Sequence, residues 1–352
     1  MKKYFVMAAL AVSTLTASAQ SVVPKWINNV KLSGFGIVQY TYNGQENNES
    51  NSFNLRLARL ALDGRAFDDW YWKAQIQFNG NTSTLGSSPK LVDLFIEWQK
   101  YDFLRVKAGQ FKNPFTYENP MHPIDQGFMS YSQVISKFAG FSDRAGAHSS
   151  NGRDIGVQLQ GDFLKNASGR NLIHYQVGVF NGQGINVKDV DQQKNIIGGA
   201  WVMPVEGMRL GAFGWIGSYA RKGTSASEGI TNTTLRRLQQ RRYAFSAEYK
   251  VDDWTFRSEY VHSTGYAFAK AMVNTNDASA KDITLSSNGD KSQGVYALVI
   301  APIIKKKCHA KARYDMYQPS KGVEKQRTQY EIGLDYYFNK NICLTGEYAY
   351  IH

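Results

Sequence analysis

The sequence predicts an all-β fold, a transmembrane antiparallel β-barrel that forms a single domain. About fifteen short amphipathic strands follow one another between residues 30 and 352, and the links between them are alternately short and long. This alternation is typical of barrels with one plain rim and one elaborated rim. Aromatic residues make up 13% of the chain, which suits the aromatic girdles of such barrels, and a mean hydropathy of −0.42 argues against helical spanning.

The links between the predicted strands fall into two classes by length. Five are short turns: Asp68-Asp69, Tyr101-Asp102, Val205–Gly207, Asp252-Asp253 and Asn339–Asn341. Seven are long polar loops: Gly44–Asn51, Asn79–Ser88, Lys112–Gly152, Gly182–Gln193, Ala220–Gln240, Tyr266–Asp290 and Pro319–Arg327. Because consecutive antiparallel strands end at opposite rims, the short turns collect at one rim and the long loops at the other. Lys112–Gly152 is the longest loop and the third on its rim.

The N-terminal segment has the pattern of an export signal. Lys2 and Lys3 precede an apolar run from Tyr4 to about Leu15, and Ala17–Ala19 matches the small residues of a cleavage site. The apolar run is too short for a comfortable membrane span, so a retained anchor helix is the weaker alternative. We therefore expect residues 1–19 to be removed and residues 20–352 to form one barrel domain.

The charge of the chain favours anionic partners or solutes. Removing Lys2 and Lys3 from the 41 Lys and Arg residues leaves 39 against 29 Asp and Glu, which is strongly basic for an exported chain. The six His residues are scattered, and Cys308 and Cys343 are expected to be free thiols. We therefore predict no cofactor and no metal site.

Apolar side chains recur at every second position of the predicted strands, as expected when one face meets lipid and the other meets water. Trp72 and Ile76, for example, alternate with Lys73 and Gln75. The phase slips near Ala58-Arg59, where we expect a β-bulge. Strands that are apolar or glycine-rich on both faces, which favours contact with another subunit, are predicted at 196–204, 208–218 and 294–302.

Three sequence blocks carry a resemblance to a known family. They are Val106–Phe115 (VKAGQFKNPF), Gly152–Gly161 (GRDIGVQLQG) and Tyr175–Gly184 (YQVGVFNGQG). In this order, with Lys112–Gly152 between the first two, the chain resembles the phosphate-selective porins O and P of bacterial outer membranes. The resemblance implies a barrel of sixteen strands, usually trimeric, whose third extracellular loop folds into the pore and whose wall passes anions along Arg and Lys side chains.

The strand count departs from that family pattern. Such barrels are even-stranded, and their last strand commonly ends in an aromatic residue, whereas here Asn341–Tyr350 is followed by Ile351-His352. One strand is missing by our count. If so, the first and last strands run parallel and leave exposed edges in the lipid instead of closing the barrel.

The strand phase places a set of cations on the water-filled face of the barrel. Such side chains can replace the hydration that an anion loses in a narrow pore, and the planar fork of arginine suits phosphate. The predicted pore-lining cations are Arg59, Arg65, Lys73, Arg105, Lys107, Arg257, Lys311 and Arg313.

Many lumen cations pair with lumen acids, and hairpin register predicts which ones, because opposed residues share a face. Three cations are predicted to lie opposite acids: Lys107 opposite Glu97, Arg257 opposite Glu248 and Arg313 opposite Glu331. Arg65 is predicted instead to lie opposite Lys73, and two like charges repel unless an anion or Asp93 lies between them. Arg65 and Lys73, followed by Arg59 and Arg105, are therefore the strongest candidates for contact with a permeating solute.

The sequence thus predicts an outer-membrane porin that allows small anions, in particular phosphate-type anions, to diffuse passively. A general, non-selective porin and a barrel with mainly an adhesive or structural role remain open alternatives. The third loop favours weak selectivity, because its charges are near balance: Lys112, Lys137 and Arg144 against Glu118, Asp125 and Asp143. No nucleophile motif is present, so we predict no catalytic residue and no enzyme activity.

The densest basic run of the chain is Arg236–Arg242. We expect it in an extracellular loop, where it contacts anionic lipopolysaccharide or draws anions towards the pore, with a merely solvated loop as the alternative. A nucleic-acid partner is not predicted, because no stacking platform or binding module accompanies the run.

Overall fold

A computed structural model gives the structure of the chain. It describes residues 2–13 by their backbone alone, and residues 24, 26–45, 47, 49–78, 89–141, 143, 151–268, 283–285, 289–320 and 326–352. The predicted loop Asn79–Ser88 and most of the predicted loop Tyr266–Asp290 lie outside the described residues, as does Arg144.

One antiparallel sheet of fifteen strands dominates the fold, and each strand pairs with its neighbours in sequence. The strands are β2 (Ile27–Asn43), β3 (Ser50–Ala66), β4 (Trp70–Gln77), β5 (Lys90–Tyr101), β6 (Leu104–Lys112), β7 (Arg153–Lys165), β8 (Asn171–Phe180), β9 (Asn195–Val202), β10 (Met208–Ser225), β11 (Ile230–Val251), β12 (Trp254–Thr264), β13 (Lys291–Ile304), β14 (Cys308–Gln318), β15 (Arg327–Asn339) and β16 (Ile342–Ile351). In the described part of the chain no helix is long and apolar enough to cross a membrane.

The fifteen strands do not close on themselves, since β2 and β16 are not paired with each other. The backbone of Lys2–Ser13, which forms β1, lies between them and pairs antiparallel with both, and this completes a ring of sixteen. The predicted count of fifteen strands beyond residue 19 is therefore confirmed. Because β1 is antiparallel to both neighbours, β2 and β16 run parallel, as the odd strand count requires.

The burial of side chains is the reverse of that in a soluble protein. Leu60, Ile96 and Ile332 project outwards from the sheet and are exposed, whereas Glu259 and Arg313 project inwards and are buried. Lipid accepts an apolar outer surface, and the polar groups collect in the lumen. The alternation of side chains predicted from the sequence is thus the alternation between lipid and lumen.

Of the two predictions made for the pairing register of β3, one is confirmed and one is wrong. The predicted bulge is confirmed slightly earlier than Ala58-Arg59: the register of β3 against β2 shifts between Ile37 and Val38, so Arg56 is the extra residue. The predicted opposition of Arg65 and Lys73 is wrong, since Arg65 lies opposite Tyr71 and Lys73 opposite Asp63.

The cause of that error is the turn between β3 and β4. The turn has three residues, because Phe67 joins Asp68 and Asp69, and the left-handed φ angles of Phe67 (47°) and Asp68 (61°) complete it. The observed pairs are centred on Asp68, with Ala66 opposite Trp70, whereas the predicted pair Arg65–Lys73 is centred on Asp69, so each opposed residue moves by two positions.

The predicted loop Ala220–Gln240 is wrong, because β10 and β11 continue through it as a long hairpin. Pairing extends to Gly223 opposite Thr234, and a short 3₁₀ turn (Ala226–Glu228) with Gly229 at φ 69° reverses the chain. The basic run Arg236–Arg242 therefore lies on β11. A polar segment reads as a loop from composition alone, but a strand that rises beyond the membrane is polar on both faces.

The third long loop folds into the barrel, as the family resemblance implies. Residues 113–141 run through the lumen and include the helix α1 (Gln133–Phe138), which is capped by the Ser132 side chain and packs on β12, β13 and β14. Phe115, Val134 and Phe138 are fully buried against wall residues such as Trp215 and Tyr296. The loop thereby fills the half of the lumen that faces β11–β16.

Gly109 in β6 is required by close packing of two strands. Its φ is 130°, and a Cβ atom there would lie 2.2 Å from the Leu94 carbonyl oxygen and 2.7 Å from Phe95 Cα. We expect Gly109→Ala to destabilise the barrel by about 1–3 kcal/mol and to lower the folded fraction in detergent, measured by the electrophoretic shift on heating. Gly36→Ala is the control, because its Cβ would meet only the Leu57 carbonyl at 3.9 Å; equal folded fractions would refute the claim.

Candidate functional site

We refer to the part of Lys112–Gly152 that lies inside the barrel as the lumen loop. Carboxylates on the barrel wall accept hydrogen bonds from its main-chain N–H groups. Glu259 accepts hydrogen bonds from the backbone of Tyr117 (2.7 Å) and Glu118 (2.9 Å), and its other partners are the hydroxyl groups of Ser246 and Tyr296. Two further carboxylates act in the same way: Glu347 accepts from the Met129 N–H at 2.8 Å, and Asp315 from the Gln133 N–H at 2.7 Å.

Wall cations hold the same loop by its carbonyl oxygens. Arg257 donates to Gln126 (3.0 Å), Lys311 to Gly127 (2.8 Å) and Arg313 to Ser130 (2.9 Å). Each of these cations also pairs with a wall acid: Arg257 with Glu248 at 2.7 Å, Lys311 with Asp335 at 2.7 Å and Arg313 with Glu331 at 2.5 Å. Three of the predicted pore-lining cations therefore bind the loop and fix its position.

The opposite half of the lumen is open and basic. A cavity of about 320 Å³ lies between the loop and the wall of β3–β8. Asp93 is the one acid among its described lining residues. Five cations line it: Arg59, Lys73, Lys107, Lys112 and Arg153. We refer to this space as the basic cavity.

The five cations differ in how far neighbouring groups neutralise them. Arg153 forms a two-point ion pair with Asp93 (2.6 and 3.1 Å), and Lys107 lies 3.5 Å from Glu97. The other three lack such an acid among the described residues: Lys112 donates to the carbonyls of Asn119 and Met121, Arg59 donates to Gln77 Oε1, and Lys73 has no hydrogen bond or ion pair there. The Lys112 ammonium group is engaged by the loop carbonyls, so the positive charges left for a solute are those of Arg59 and Lys73.

The acids of the lumen loop point away from the basic cavity. Glu118 is fully buried and accepts from the backbone and hydroxyl of Ser132, and Asp143 is bound by Arg242 at 2.7 and 2.9 Å. Asp125 lines a second cavity instead. Cations and acids are nearly equal in number in the loop sequence, but the loop surface that faces the basic cavity carries none of these acids.

The loop surface that faces the cations is short and mostly apolar. It consists of Pro120, Met121, His122 and Pro123. Burial, together with the charges of Lys112 and Lys73, lowers the pKa of His122 to about 4, so its ring is neutral at pH 7. This face of the loop adds no negative charge to oppose an anion.

The second cavity, of about 530 Å³, lies at the short-turn rim. Its charge is mixed, because three acids line it (Asp125, Asp253 and Asp335) together with five cations (Arg209, Lys250, Arg257, Lys311 and Lys340). Met121 and Pro123 line both cavities. The loop segment that carries them therefore separates the basic cavity from the space at the short-turn rim.

The eight cations predicted from the sequence divide into three groups. Arg59, Lys73 and Lys107 line the basic cavity, and Arg257 and Lys311 line the second cavity. Arg65, Arg105 and Arg313 line neither of these two cavities. Arg65 donates to the Asp68 carbonyl and to Gln99, and Arg105 pairs with Asp162 at 2.5 Å.

Sequence reasoning missed Arg153 and Lys112 as lining residues. Both stand at the ends of Lys112–Gly152, beside two of the sequence blocks that carry the family resemblance. Their position next to an in-folding loop was the available signal.

The basic run on β11 is divided between the two faces of the sheet. Arg242 points into the barrel towards Asp143, and Arg236 pairs with Glu228. Arg237 and Arg241 point outwards and are exposed, but Arg237 is bound to Asp191, with an ion pair at 3.5 Å and a hydrogen bond to its carbonyl at 2.8 Å. Only part of the run is therefore available to an external partner.

Comparison with known proteins agrees with this architecture. Residues 33–191 match the model of the family phosphate-selective porin O and P. A loop L8 deletion mutant of OmpT, an outer-membrane protein of Vibrio cholerae, has a TM-score of 0.52 at 10% identity, with 100% of this chain and 99% of that chain covered.

OmpT folded in vitro, in its trimer form, has a TM-score of 0.50 at 12% identity, with 100% and 99% covered. At such identities the likeness concerns the fold. A search of curated proteins found no match. The family match over residues 33–191 and the shared barrel fold confirm the resemblance to the phosphate-selective porins O and P.

Proposed function

We propose that this porin allows small anions, phosphate-type anions among them, to diffuse passively through the basic cavity. The observation that carries the proposal is the uncompensated charge of Arg59 and Lys73 opposite a loop face without acids. An anion that loses part of its hydration shell there accepts hydrogen bonds from these cations instead. The negative charges of Asp93 and Glu97 weaken its binding enough for it to leave. The phosphate preference is supported by the family name alone.

The ion pairs of the wall favour a rival reading, a general porin. Lys107, Arg257, Lys311 and Arg313 all have acid partners, so most of the wall is close to neutral. We propose that selectivity arises at Arg59 and Lys73 and not along the whole lumen. No catalytic role is proposed.

The export route, the oligomeric state and the lipid contact are further parts of the proposal. We propose that residues 1–19, which include β1, are a leader that is cleaved on export, so that β2 and β16 of the mature chain lose the strand between them. We also propose a homotrimer, which is supported by the trimer form of OmpT and by the small outward residues of β9 and β10, such as Gly198 and Gly214. Arg241, which is exposed two residues from the exposed Tyr243, suits anionic lipopolysaccharide at the membrane surface.

Reversal potentials in planar bilayers test the proposed function. Under a potassium chloride gradient we expect the purified protein to show a potential of the sign that anion preference gives, because five cations and one acid line the basic cavity among the described residues. A cation-selective reversal potential would contradict the proposal. Titration of the chloride current with phosphate then separates a phosphate site, which inhibits the current, from a general anion pore, which does not.

A further inference from the structure

We infer that the basic cavity takes anions with an apolar body, such as aromatic carboxylates or aromatic phosphate esters, in preference to bare inorganic anions of the same head group. The inference rests on the anion passage proposed above. It is motivated by the apolar surfaces that face one another across the cavity, one on the loop and one on the wall.

The loop supplies the first apolar surface. Pro120 is exposed and lines the basic cavity, and Met121 and Pro123 are half-buried and line it as well as the second cavity. The main chain beneath them is fixed, since Lys112 Nζ binds the carbonyls of Asn119 (2.7 Å) and Met121 (2.6 Å). These hydrocarbon surfaces are therefore held at one place and are not a mobile lid.

The wall supplies the second apolar surface. Phe95 on β5 is half-buried and lines the cavity, and its ring packs on Phe111 with a centroid distance of 5.9 Å. Lys107 Nζ lies 5.0 Å from the Phe95 centroid. A cation beside a half-buried aromatic ring that lines a cavity is a combination that can receive both the charged head and the hydrocarbon part of one solute.

The energetics separate the two classes of anion. A hydrated inorganic anion that loses water against a hydrocarbon surface forms no hydrogen bond there to replace it. An apolar body, by contrast, is stabilised by about 25 cal/mol of transfer free energy for each Å² that it buries. The cavity volume of about 320 Å³ is at the lower end of the roughly 300–1,000 Å³ that small-molecule sites occupy. A single ring with a charged head is therefore a suitable occupant.

Inhibition of the chloride current of the wild-type porin tests the inference with matched solutes. Benzoate is compared with acetate, and phenyl phosphate with inorganic phosphate, so that each pair shares its head group. We expect half-inhibition at an about fivefold lower concentration for the aromatic member of each pair. Equal concentrations within both pairs would overturn the inference.

Two methionine variants of the lumen loop locate the effect. Met121→Ser removes a side chain that lines the basic cavity, and Met129→Ser removes one that lines the second cavity alone. We expect Met121→Ser to reduce the benzoate advantage to about twofold or less and Met129→Ser to leave it unchanged. An equal loss in both variants would overturn the assignment to the basic cavity.

The two levels of the proposal fail in different ways. A cation-selective wild-type pore would overturn the proposed function and this inference together. An anion-selective pore in which benzoate and acetate inhibit equally would overturn the inference alone. The wild-type comparison requires no variant, so the inference can be refuted even if the loop substitutions impair folding.

Discussion

Replacing both Arg59 and Lys73 by glutamine is expected to lower the ratio of anion to cation permeability roughly tenfold. These two cations line the basic cavity and have no carboxylate partner among the described residues, so their charge acts directly on a solute. Two unit charges a few ångströms from the path each change the energy of an anion by about 1–3 kcal/mol at effective dielectric constants between those of protein and water. Reversal potentials of the wild type and the double variant measure the ratio.

Arg65→Gln is the matched control for that experiment. Arg65 is a wall cation on the same strand as Arg59, but it binds the Asp68 carbonyl and Gln99 and does not line the basic cavity. We expect this variant to retain most of the wild-type selectivity. If Arg65→Gln alone matched the double variant, the permeation path would lie elsewhere on the wall.

Replacing Glu259 by glutamine is expected to loosen the lumen loop and to widen the pore. Glu259 is fully buried and accepts the N–H groups of Tyr117 and Glu118. A neutral amide supplies a single acceptor oxygen, which leaves at least one buried N–H group unsatisfied at a cost of about 1–3 kcal/mol. We expect a higher and noisier single-channel conductance, because the loop then samples positions away from the β11–β16 wall.

Glu97→Gln provides the comparison for the loop experiment. It too removes one buried carboxylate from the wall, but Glu97 pairs with Lys107 and accepts from Gln160, with no contact to the loop among the described residues. We expect it to strengthen anion preference while the conductance noise stays at the wild-type level. Similar noise in both variants would mean that Glu259 acts through charge and not through its hold on the loop.

Hairpin register was predictable where the turn has two residues. The Asp252-Asp253 turn has both residues at positive φ (48° and 74°), and Arg257 lies opposite Glu248 as predicted. The turn at Asp68 contains one residue more, and there the prediction was wrong. Alternation of side chains specifies which face a residue takes, but a single turn residue decides which partner it meets.

The role of the lumen cations was not predictable from strand phase. Arg257 and Arg313 do face the lumen and do pair with the predicted acids. Their remaining donors bind carbonyl oxygens of a loop that is distant in the sequence, at Gln126 and Ser130. A local sequence pattern cannot predict such contacts, because they depend on where residues 113–141 lie inside the barrel.

By itself, the sequence determined the barrel class, the fifteen strands beyond residue 19 and the resemblance to a porin family, because each follows from local periodicity, turn residues and short sequence blocks. The tertiary structure alone decided which cations remain uncompensated. That outcome depends on the path of the lumen loop, which buries Glu118 and Asp143, occupies Arg257, Lys311 and Arg313, and leaves Arg59 and Lys73 facing an apolar surface. Electrostatic compensation is a matter of distance in space, and distance in space between remote segments is not encoded in any local pattern of residues.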